Sequence, residues 1–406
     1  MNQRTRRVRG FFAKAFISFV LTYSVGSSAI VPYGTTPPAD RDDWKAYLFI
    51  RDGDCSSGAA AGELAASGFD CQAFKFTDYR EPPAATETYD PAVENNPQEL
   101  FGVRGAATNR AWEVSTGRPD VVLAVLDSGI EWHQKGNKEL VNKYYLNRGE
   151  LPKPICANGQ TGNPHDTRFG GYDCNGDGVF NMADYANDAR VYDFNGNGFK
   201  DPQDLIHIFS NGVDNDNNGY VDDISGWDFF ENDNDPEDEV EYGHGTGEAK
   251  DSSAEVPLSN SAQCPNCMVM PLRAGDSFVA DVNHFAEAVI YATDNGVSVI
   301  QEAEGDITHT SFAQDALRYA YTHGVMINAS EADENASHHM WPAAYEYTMV
   351  VNSRHSSNVA PAARPYSYLY FNACTNFGAY TYVSIPSDSC SSSGISKLFK
   401  KHWTSL

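Results

Sequence analysis

The feature that most constrains the fold of this 406-residue chain is an alternation, from Val121 onward, of short apolar runs with segments of helical period. The first run, Val121–Ile130, reads VVLAVLDSGI, and a continuous apolar stretch of this kind is typical of a strand buried on both faces. The later candidate strands are Met268–Leu272, Val297–Ile300, Val325–Ile327 and Met349–Val351, and the candidate helices are Val282–Thr293 and Phe312–His323. Each of these two helices stops at or just before a glycine, as a helix C-terminus commonly does. We therefore predict an α/β fold, a doubly wound parallel sheet with helices on both faces.

Polar residues that can do chemistry stand at the ends of these segments. Asp127 closes the first apolar run, and a carboxylate at the carboxyl end of a parallel strand faces the crevice where open α/β sheets bind ligands. Taken alone, Asp127 could equally be an aspartate in an ordinary strand-to-loop turn. The segment Tyr242–Thr246, which reads YGHGT, adds a histidine between two glycines further along the chain. Together D-S-G at a strand end and H-G-T resemble the motifs of the subtilisin-like serine proteases, the subtilases.

The resemblance implies a subtilisin-like fold and a triad in the chain order Asp, His, Ser. In this sequence Asp127 would orient His244, and His244 would take the proton of a serine further along. The family places that serine in G-T-S-x-A-x-P, and the comparable trio here is Gly394-Ile395-Ser396. Ser396 is therefore the candidate nucleophile, although Lys397 and the residues after it depart from the family motif.

Two further segments occupy positions that the resemblance assigns to substrate and oxyanion binding. Asp333 stands where the family has an asparagine that donates to the oxyanion, and an ionised carboxylate cannot donate. Ala303, Glu304 and Gly305 stand where the family has its substrate-lining strand. Glu302 and Glu304 could favour basic peptides, or they could be solvated loop carboxylates with no such role.

Between Asp127 and His244 lies an acidic insert, residues 171–228, with three loops of calcium-binding spacing. We expect Ca²⁺ as cofactor, because so many carboxylates in one short segment would repel one another without a cation. A solvated turn region of Asp, Asn and Gly is the alternative. The third loop has Ser225 at its twelfth position, so its last ligand must come from elsewhere. The candidate ligands are Asp173, Asn175, Asp177, Val179 and Asp184 in the first loop, Asp193, Asn195, Asn197, Phe199 and Asp204 in the second, and Asp214, Asp216, Asn218, Tyr220 and Asp222 in the third.

The composition limits which binding partners and which cellular compartment we expect for this chain. The net charge of −26 repels nucleic acid and anionic membrane surfaces, so we expect a peptide or protein substrate, with no nucleic acid and no membrane span. Residues 1–29 combine basic residues, an apolar run and a small-residue end, as secretory signal peptides do. Eight cysteines, an even count, also fit an oxidising compartment. Cys55 with Cys71 and Cys374 with Cys390 are near in sequence, although the sequence does not fix the pairing. Cys264 and Cys267 form a C-x-x-C with the spacing of a metal or redox site, but no second pair accompanies it, so we expect a structural disulfide role with partners left open.

The sequence as a whole predicts a secreted, calcium-stabilised serine endopeptidase. We divide it into the signal peptide, a leader or linker over residues 30–95, and a subtilase-like domain over residues 96–406. Two alternatives stay open: a pseudoprotease of the same fold that lacks turnover, and a calcium-dependent extracellular interaction module.

Overall fold

The structure is a computed structural model that describes the chain from residue 115 onward, with gaps. The described residues are 115–134, 137–254, 262–277, 280–306, 308–332, 336–337, 340–355, 370–371, 375–378 and 381–386. The expected signal peptide and leader lie outside these ranges.

Eight strands of the described chain form one sheet, in the order β2-β3-β1-β4-β5-β6-β7, with β8 also paired to β6. All neighbours run parallel except β6 and β7. The strands are β1 (Val122–Asp127), β2 (Trp227–Asp228), β3 (Met268–Arg273), β4 (Val299–Glu302), β5 (Met326–Ser330), β6 (Thr348–His355), β7 (Tyr370–Phe371) and β8 (Val383–Pro386). Because β1, β4 and β5 are parallel neighbours, their carboxyl ends meet at one edge of the sheet.

Four α-helices accompany the sheet in the described chain: α1 (Pro202–Phe209), α2 (His244–Ser253), α3 (Val282–Asp294) and α4 (Ser311–Thr322). Short 3₁₀ helices cover Lys138–Leu140 and Met182–Tyr185. The predicted helices α3 and α4 are found within one residue at each end. Each begins at a side-chain cap, the Asp281 carboxylate for α3 and the Thr310 hydroxyl for α4, which accept N–H groups of the first turn.

Helices cover both faces of the sheet, as the sequence predicts. Successive residues of β1 point to opposite faces, so Ala124 and Leu126 pack in one apolar cluster and Val125 in another. The first cluster includes buried residues of α3 and α4, and the second includes Ala249 of α2. Parallel sheets are buried in this way because their crossover helices lie on the faces. The doubly wound α/β fold is confirmed.

The acidic insert has an apolar base of its own. Phe180, Tyr185 and Leu205 of the insert pack with Leu146, which precedes it, in a cluster separate from those of the sheet. A disulfide between Cys156 and Cys174 ties the start of the first acidic loop to the preceding segment. A second disulfide joins Cys264 and Cys267, in agreement with the structural role expected for the C-x-x-C. The pairs Cys55 with Cys71 and Cys374 with Cys390 lie outside the described residues.

Candidate active site

β1 and α2 bring Asp127 and His244 into direct contact. The Nδ1 atom of His244 lies 2.8 Å from Oδ1 and 2.9 Å from Oδ2 of Asp127. Asp127 is 1% exposed, and its Oδ1 also accepts the backbone N–H of Ser128 at 2.7 Å. A carboxylate on Nδ1 keeps the imidazole proton on that nitrogen, so that Nε2 is the nitrogen that can accept another. This pair can therefore supply a general base.

The glycines around His244 allow α2 to begin against the end of β1. A Cβ on Gly245 would overlap the backbone of Gly129, so no larger residue fits there. The Gly245 N–H donates to the Ser128 hydroxyl at 3.1 Å, which links the D-S-G and H-G-T motifs directly. Gly243 has φ of 77°, a left-handed value that glycine adopts without strain.

Asp238 fixes the loop that precedes the histidine. Its buried carboxylate accepts the backbone N–H of Gly243 at 2.7 Å and that of Tyr242 at 3.1 Å. The Ser128 hydroxyl donates to the same carboxylate at 3.3 Å. Asp238 thus couples the loop before α2 to the turn after β1.

A second carboxyl group lies on the other side of the imidazole. Oε1 of Glu248, one turn along α2, is 4.0 Å from Nε2 of His244. Its Oε2 accepts the side-chain amide of Gln301 on β4 at 2.6 Å. Burial raises the pKa of Glu248 to about 7, although the charge of His244 opposes the rise. The imidazole therefore lies between two carboxyl groups.

Glu302 and Glu304 are buried, so the interpretation of them as solvated loop carboxylates is wrong. Each is 2% exposed, and no described donor makes a hydrogen bond of normal geometry to any of their four carboxyl oxygens. Burial raises the pKa of both groups well above the usual range, and the charge of Asp127 adds to the rise. The backbone N–H of Glu304 partly opposes the rise at Glu302. Of their neighbours, Ala303 is half-buried and Gly305 is buried beneath the side chain of Met340.

The first two acidic loops have the same backbone hydrogen bonds. The carboxylate at position 1 accepts N–H groups from positions 4 and 6, and the carboxylate at position 12 accepts the N–H of position 2. The side chains at positions 3 and 5 accept the N–H two residues ahead, so each loop turns tightly around its oxygens. In the first loop the residues at positions 1, 3, 5 and 12 are Asp173, Asn175, Asp177 and Asp184, and Val179 is at position 7. In the second loop they are Asp193, Asn195, Asn197 and Asp204, and Phe199 is at position 7.

The third loop takes its last carboxylate from upstream. Oε1 of Glu150 accepts the N–H groups of Asn215 and Asp216 at 2.8 and 3.0 Å. In the first loop Oδ1 of Asp184 accepts the N–H groups of the equivalent residues, Cys174 and Asn175. Glu150 therefore occupies the place that Ser225 cannot fill.

The rest of the third loop agrees in part with the sequence prediction. Asp214 accepts the N–H groups of positions 5 and 6, Asn218 and Gly219, where the first two loops use positions 4 and 6. Asn218 accepts the N–H of Tyr220, as the residue at position 5 does in the other loops. Asp222 instead accepts the N–H groups of Asn211 and Gly212, before the loop. The sequence prediction placed Asp222 among the ligands of the third loop, whereas its carboxylate holds the segment before that loop, and Glu150 completes the loop.

The donor chemistry of the third loop fits a hard divalent cation. Glu150, Asp216 and Asp223 each offer an oxygen, and these oxygens lie within 4.8 Å of one another. Asn147 donates to both Asp216 and Asp223 at 2.9 Å and holds the two carboxylates together. Burial raises the pKa of Asp223 to about 6, because desolvation disfavours the charged carboxylate, and a nearby cation would favour the charged form. An all-oxygen set of this kind is what Ca²⁺ prefers.

Comparison with known proteins decides the family. The subtilase family model matches residues 118–394, more than half of the chain. The chain belongs to the subtilase family. The thermophilic serine proteinase of Bacillus sp. (strain AK1) is 30% identical over 229 residues, which are 54% of this chain and 53% of that protein. Thermitase of Thermoactinomyces vulgaris is 27% identical over 175 residues, 40% of this chain and 61% of thermitase.

Two solved structures show lower similarity to this subtilase. A lanthipeptide protease superposes with a TM-score of 0.39 at 15% identity, over 68% of this chain and 58% of that one. A cold-adapted subtilisin-like serine proteinase gives 0.32 at 20% identity, over 43% and 59%. The family assignment rests on the sequence match. The subtilase spans between about half and two thirds of the length of the two curated relatives above.

Of the predicted site residues, the structure of this subtilase describes Asp127, His244, Glu304 and the three loops. Asp333 and Ser396 lie outside the described residues. Sequence reasoning missed Glu150 and Asp223 as partners of the third loop. It also missed Asp238 and Glu248 as neighbours of the histidine. The sequence signal that could have identified Asp238 and Glu248 is that each is an acidic residue close to the H-G-T motif, one before it and one after it. No helix in the described part of the chain is long and apolar enough to span a bilayer.

Proposed function

We propose that this subtilase is a secreted, calcium-stabilised serine endopeptidase that uses Asp127, His244 and Ser396. The observation that carries the proposal is the contact of Nδ1 of His244 with both carboxylate oxygens of a buried aspartate. That contact orients the imidazole and leaves Nε2 to act as general base. The secretory character of residues 1–29 supports export, and a peptide or protein is the substrate.

In the proposed reaction Nε2 of His244 accepts the proton of the Ser396 hydroxyl while its oxygen attacks the peptide carbonyl. Asp127 stabilises the imidazolium that forms, and the imidazolium then gives its proton to the leaving amine. Water repeats the sequence on the acyl-enzyme with His244 again as base. Asp333 can donate to the oxyanion only when its carboxyl is protonated, so we propose that turnover is lower than with an asparagine donor, by about 100- to 1,000-fold.

Active-site labelling tests the triad. A fluorescent fluorophosphonate should label the wild-type chain, and labelling should be lost in both Ser396→Ala and His244→Ala. Ser391→Ala, a change in the neighbouring serine run, is the matched control and should keep its label. Labelling that survives Ser396→Ala would refute this nucleophile. A wild-type chain that is folded but neither labelled nor able to cleave peptides would support the pseudoprotease alternative.

We also propose that the three acidic loops bind Ca²⁺. In each loop one ion would be held by the carboxylate at position 1 and the carbonyl at position 7. These residues are Asp173 and Val179 in the first loop, Asp193 and Phe199 in the second, and Asp214 and Tyr220 in the third, which Glu150 and Asp223 would complete. The ion would offset the mutual repulsion of the loop carboxylates and stabilise the fold, and no catalytic step passes through it.

Thermal unfolding and calorimetric titration test the calcium proposal. The wild type should melt at a higher temperature with Ca²⁺ than with a chelator, because an ion that binds only the folded state stabilises it. Glu150→Gln should lower the number of ions bound by one, whereas Glu346→Gln, at an exposed site, should not. An unchanged melting temperature with Ca²⁺ would refute the cofactor. Calcium-dependent melting without labelling or cleavage would favour the interaction module.

A further inference from the structure

The carboxyl edge of the sheet holds two buried acids that the triad does not use. Glu302 lies opposite Leu126, the residue before Asp127, in the parallel register of β4 and β1. Glu304 follows two residues later, at the same edge. Both side chains are 2% exposed, and no described donor bonds any of their oxygens with normal geometry. Carboxyl groups are buried without partners only at considerable cost, so a group that pairs with them is expected.

The cations of this region are already engaged by other acids. Arg273, whose charge acts on Glu304, donates to Asp228 at 2.6 Å and also pairs with Glu239. His244 is held by Asp127. The other acids near Glu304 add negative charge, since Asp127, Asp276 and Asp238 all act on it in the same sense. The edge therefore has an excess of carboxyl groups over cationic partners among the described residues.

An organic cation suits these acids better than a metal ion does. Three carboxylate oxygens close enough to share an ion occur in the described chain at Glu150, Asp216 and Asp223, and not at this edge. A guanidinium or ammonium group needs no such cage, because it brings its own N–H donors and can bond separate carboxylates.

We propose that Glu302 and Glu304 form the acceptor for an arginine or lysine side chain of the peptide substrate, so that this subtilase selects basic peptides. The inference rests on the proposed peptidase function for the nature of its ligand. The carboxyl groups lie at the edge that carries the Asp127–His244 pair, so a side chain bound there belongs to a residue near the scissile bond. The Met340 side chain lies against Gly305, the residue after Glu304, and it is flexible enough to adapt to a bound side chain.

Binding of a basic peptide can be measured without turnover. The probe is a fluorescein-labelled heptapeptide of alanine with arginine at its two central positions, and the matched probe has citrulline, which is uncharged and nearly isosteric, at both. Fluorescence anisotropy is recorded on the full chain in the His244→Ala background, so the result does not depend on whether the chain is an active peptidase. The arginine peptide should bind about 10- to 100-fold more tightly than the citrulline peptide, as charge-assisted hydrogen bonds to a buried acceptor imply.

Substitution identifies the acceptor. Glu304→Gln and Glu302→Gln, each added to that background, should each reduce the ratio of the two affinities by about tenfold. Glu346→Gln, an exposed acid at the opposite edge of the sheet beside the start of β6, should leave the ratio unchanged. Melting curves of every variant confirm that each is folded.

Three results would overturn the proposal: equal affinity for the two peptides, no binding of either, or a preference for arginine that both glutamine variants retain. Absence of fluorophosphonate labelling in the wild type would contradict the proposed catalytic function, and it would not affect the result of the binding measurement. The two proposals can therefore fail separately.

Discussion

Asp127 is the residue on which the chemistry of the site depends, since one buried carboxylate both accepts the Ser128 N–H and holds Nδ1 of His244. The first bond fixes the carboxylate relative to β1, and the second fixes the tautomer of the histidine. The first needs only one acceptor oxygen, whereas the second needs a carboxylate, which has no N–H of its own to donate to Nδ1.

Asp127→Asn should therefore reduce kcat by about 10,000-fold with little loss of fold. An asparagine amide can donate to Nδ1, which favours the tautomer whose Nε2 carries the proton and cannot accept another. Peptide hydrolysis by purified protein measures the effect, and Asp120→Asn, at an exposed acid paired with Arg118, is the control. Activity within tenfold of the wild type would contradict the role given to Asp127.

Among the elements, β2 shows how a very short strand is held in the sheet. Its two residues pair with Leu272 and Arg273 of β3, and Asp228 forms a buried ion pair with Arg273 at 2.6 Å. The strand can approach this closely because Gly226 precedes it. A Cβ on Gly226 would overlap the carbonyl oxygen of Pro271.

Gly226→Ala should destabilise the fold by about 2–5 kcal/mol, the combined cost of a left-handed alanine and of forcing β2 from β3. Gly159→Ala is a matched control, because Gly159 has the same φ of 80° and a Cβ there would meet no atom within 4 Å. It should cost only about 1–2 kcal/mol. Urea unfolding measures both, and equal losses would mean that the approach of β2 to β3 is not tight.

At the scale of the whole molecule, burial raises the pKa of several carboxyl groups, so these groups keep their protons to a higher pH in the folded chain than in the unfolded chain. Burial raises the pKa of Asp235 to about 7, as it does for Glu248, and raises those of Glu302 and Glu304 further. The unfolded chain binds fewer protons than the folded chain between about pH 4 and the folded pKa values. The free energy of unfolding therefore falls as the pH rises through this range.

In saturating Ca²⁺, the free energy of unfolding should accordingly be about 1–3 kcal/mol greater at pH 5.5 than at pH 8. Urea titrations at the two pH values measure the difference. A double variant with Glu302→Gln and Glu304→Gln should show a smaller difference, because two of the titrating groups are gone, while Glu346→Gln should match the wild type. A stability that rises toward pH 8 would contradict these pKa directions.

The sequence predicted β1, β3, β4, β5 and β6 because buried parallel strands are continuous apolar runs, and it predicted α3 and α4 because they have a clear helical period. It also predicted that Asp127 and His244 belong to one site, since two motifs carry that information. It could not place Glu150 on the third loop, because nothing in local spacing identifies a partner 65 residues away. The burial of Glu302 and Glu304 was equally hidden, since charged residues after a strand normally indicate solvent.

Because Glu150 lies outside the acidic insert and yet completes its third loop, the insert alone cannot be transplanted into another protein. A graft cut at residues 171–228 would carry the third loop without the carboxylate that caps its N–H groups. It would also cut the Cys156–Cys174 cross-link and leave Cys174 with an open thiol. The smallest transferable unit must therefore begin at or before Asn147, within the chain that leads out of β1.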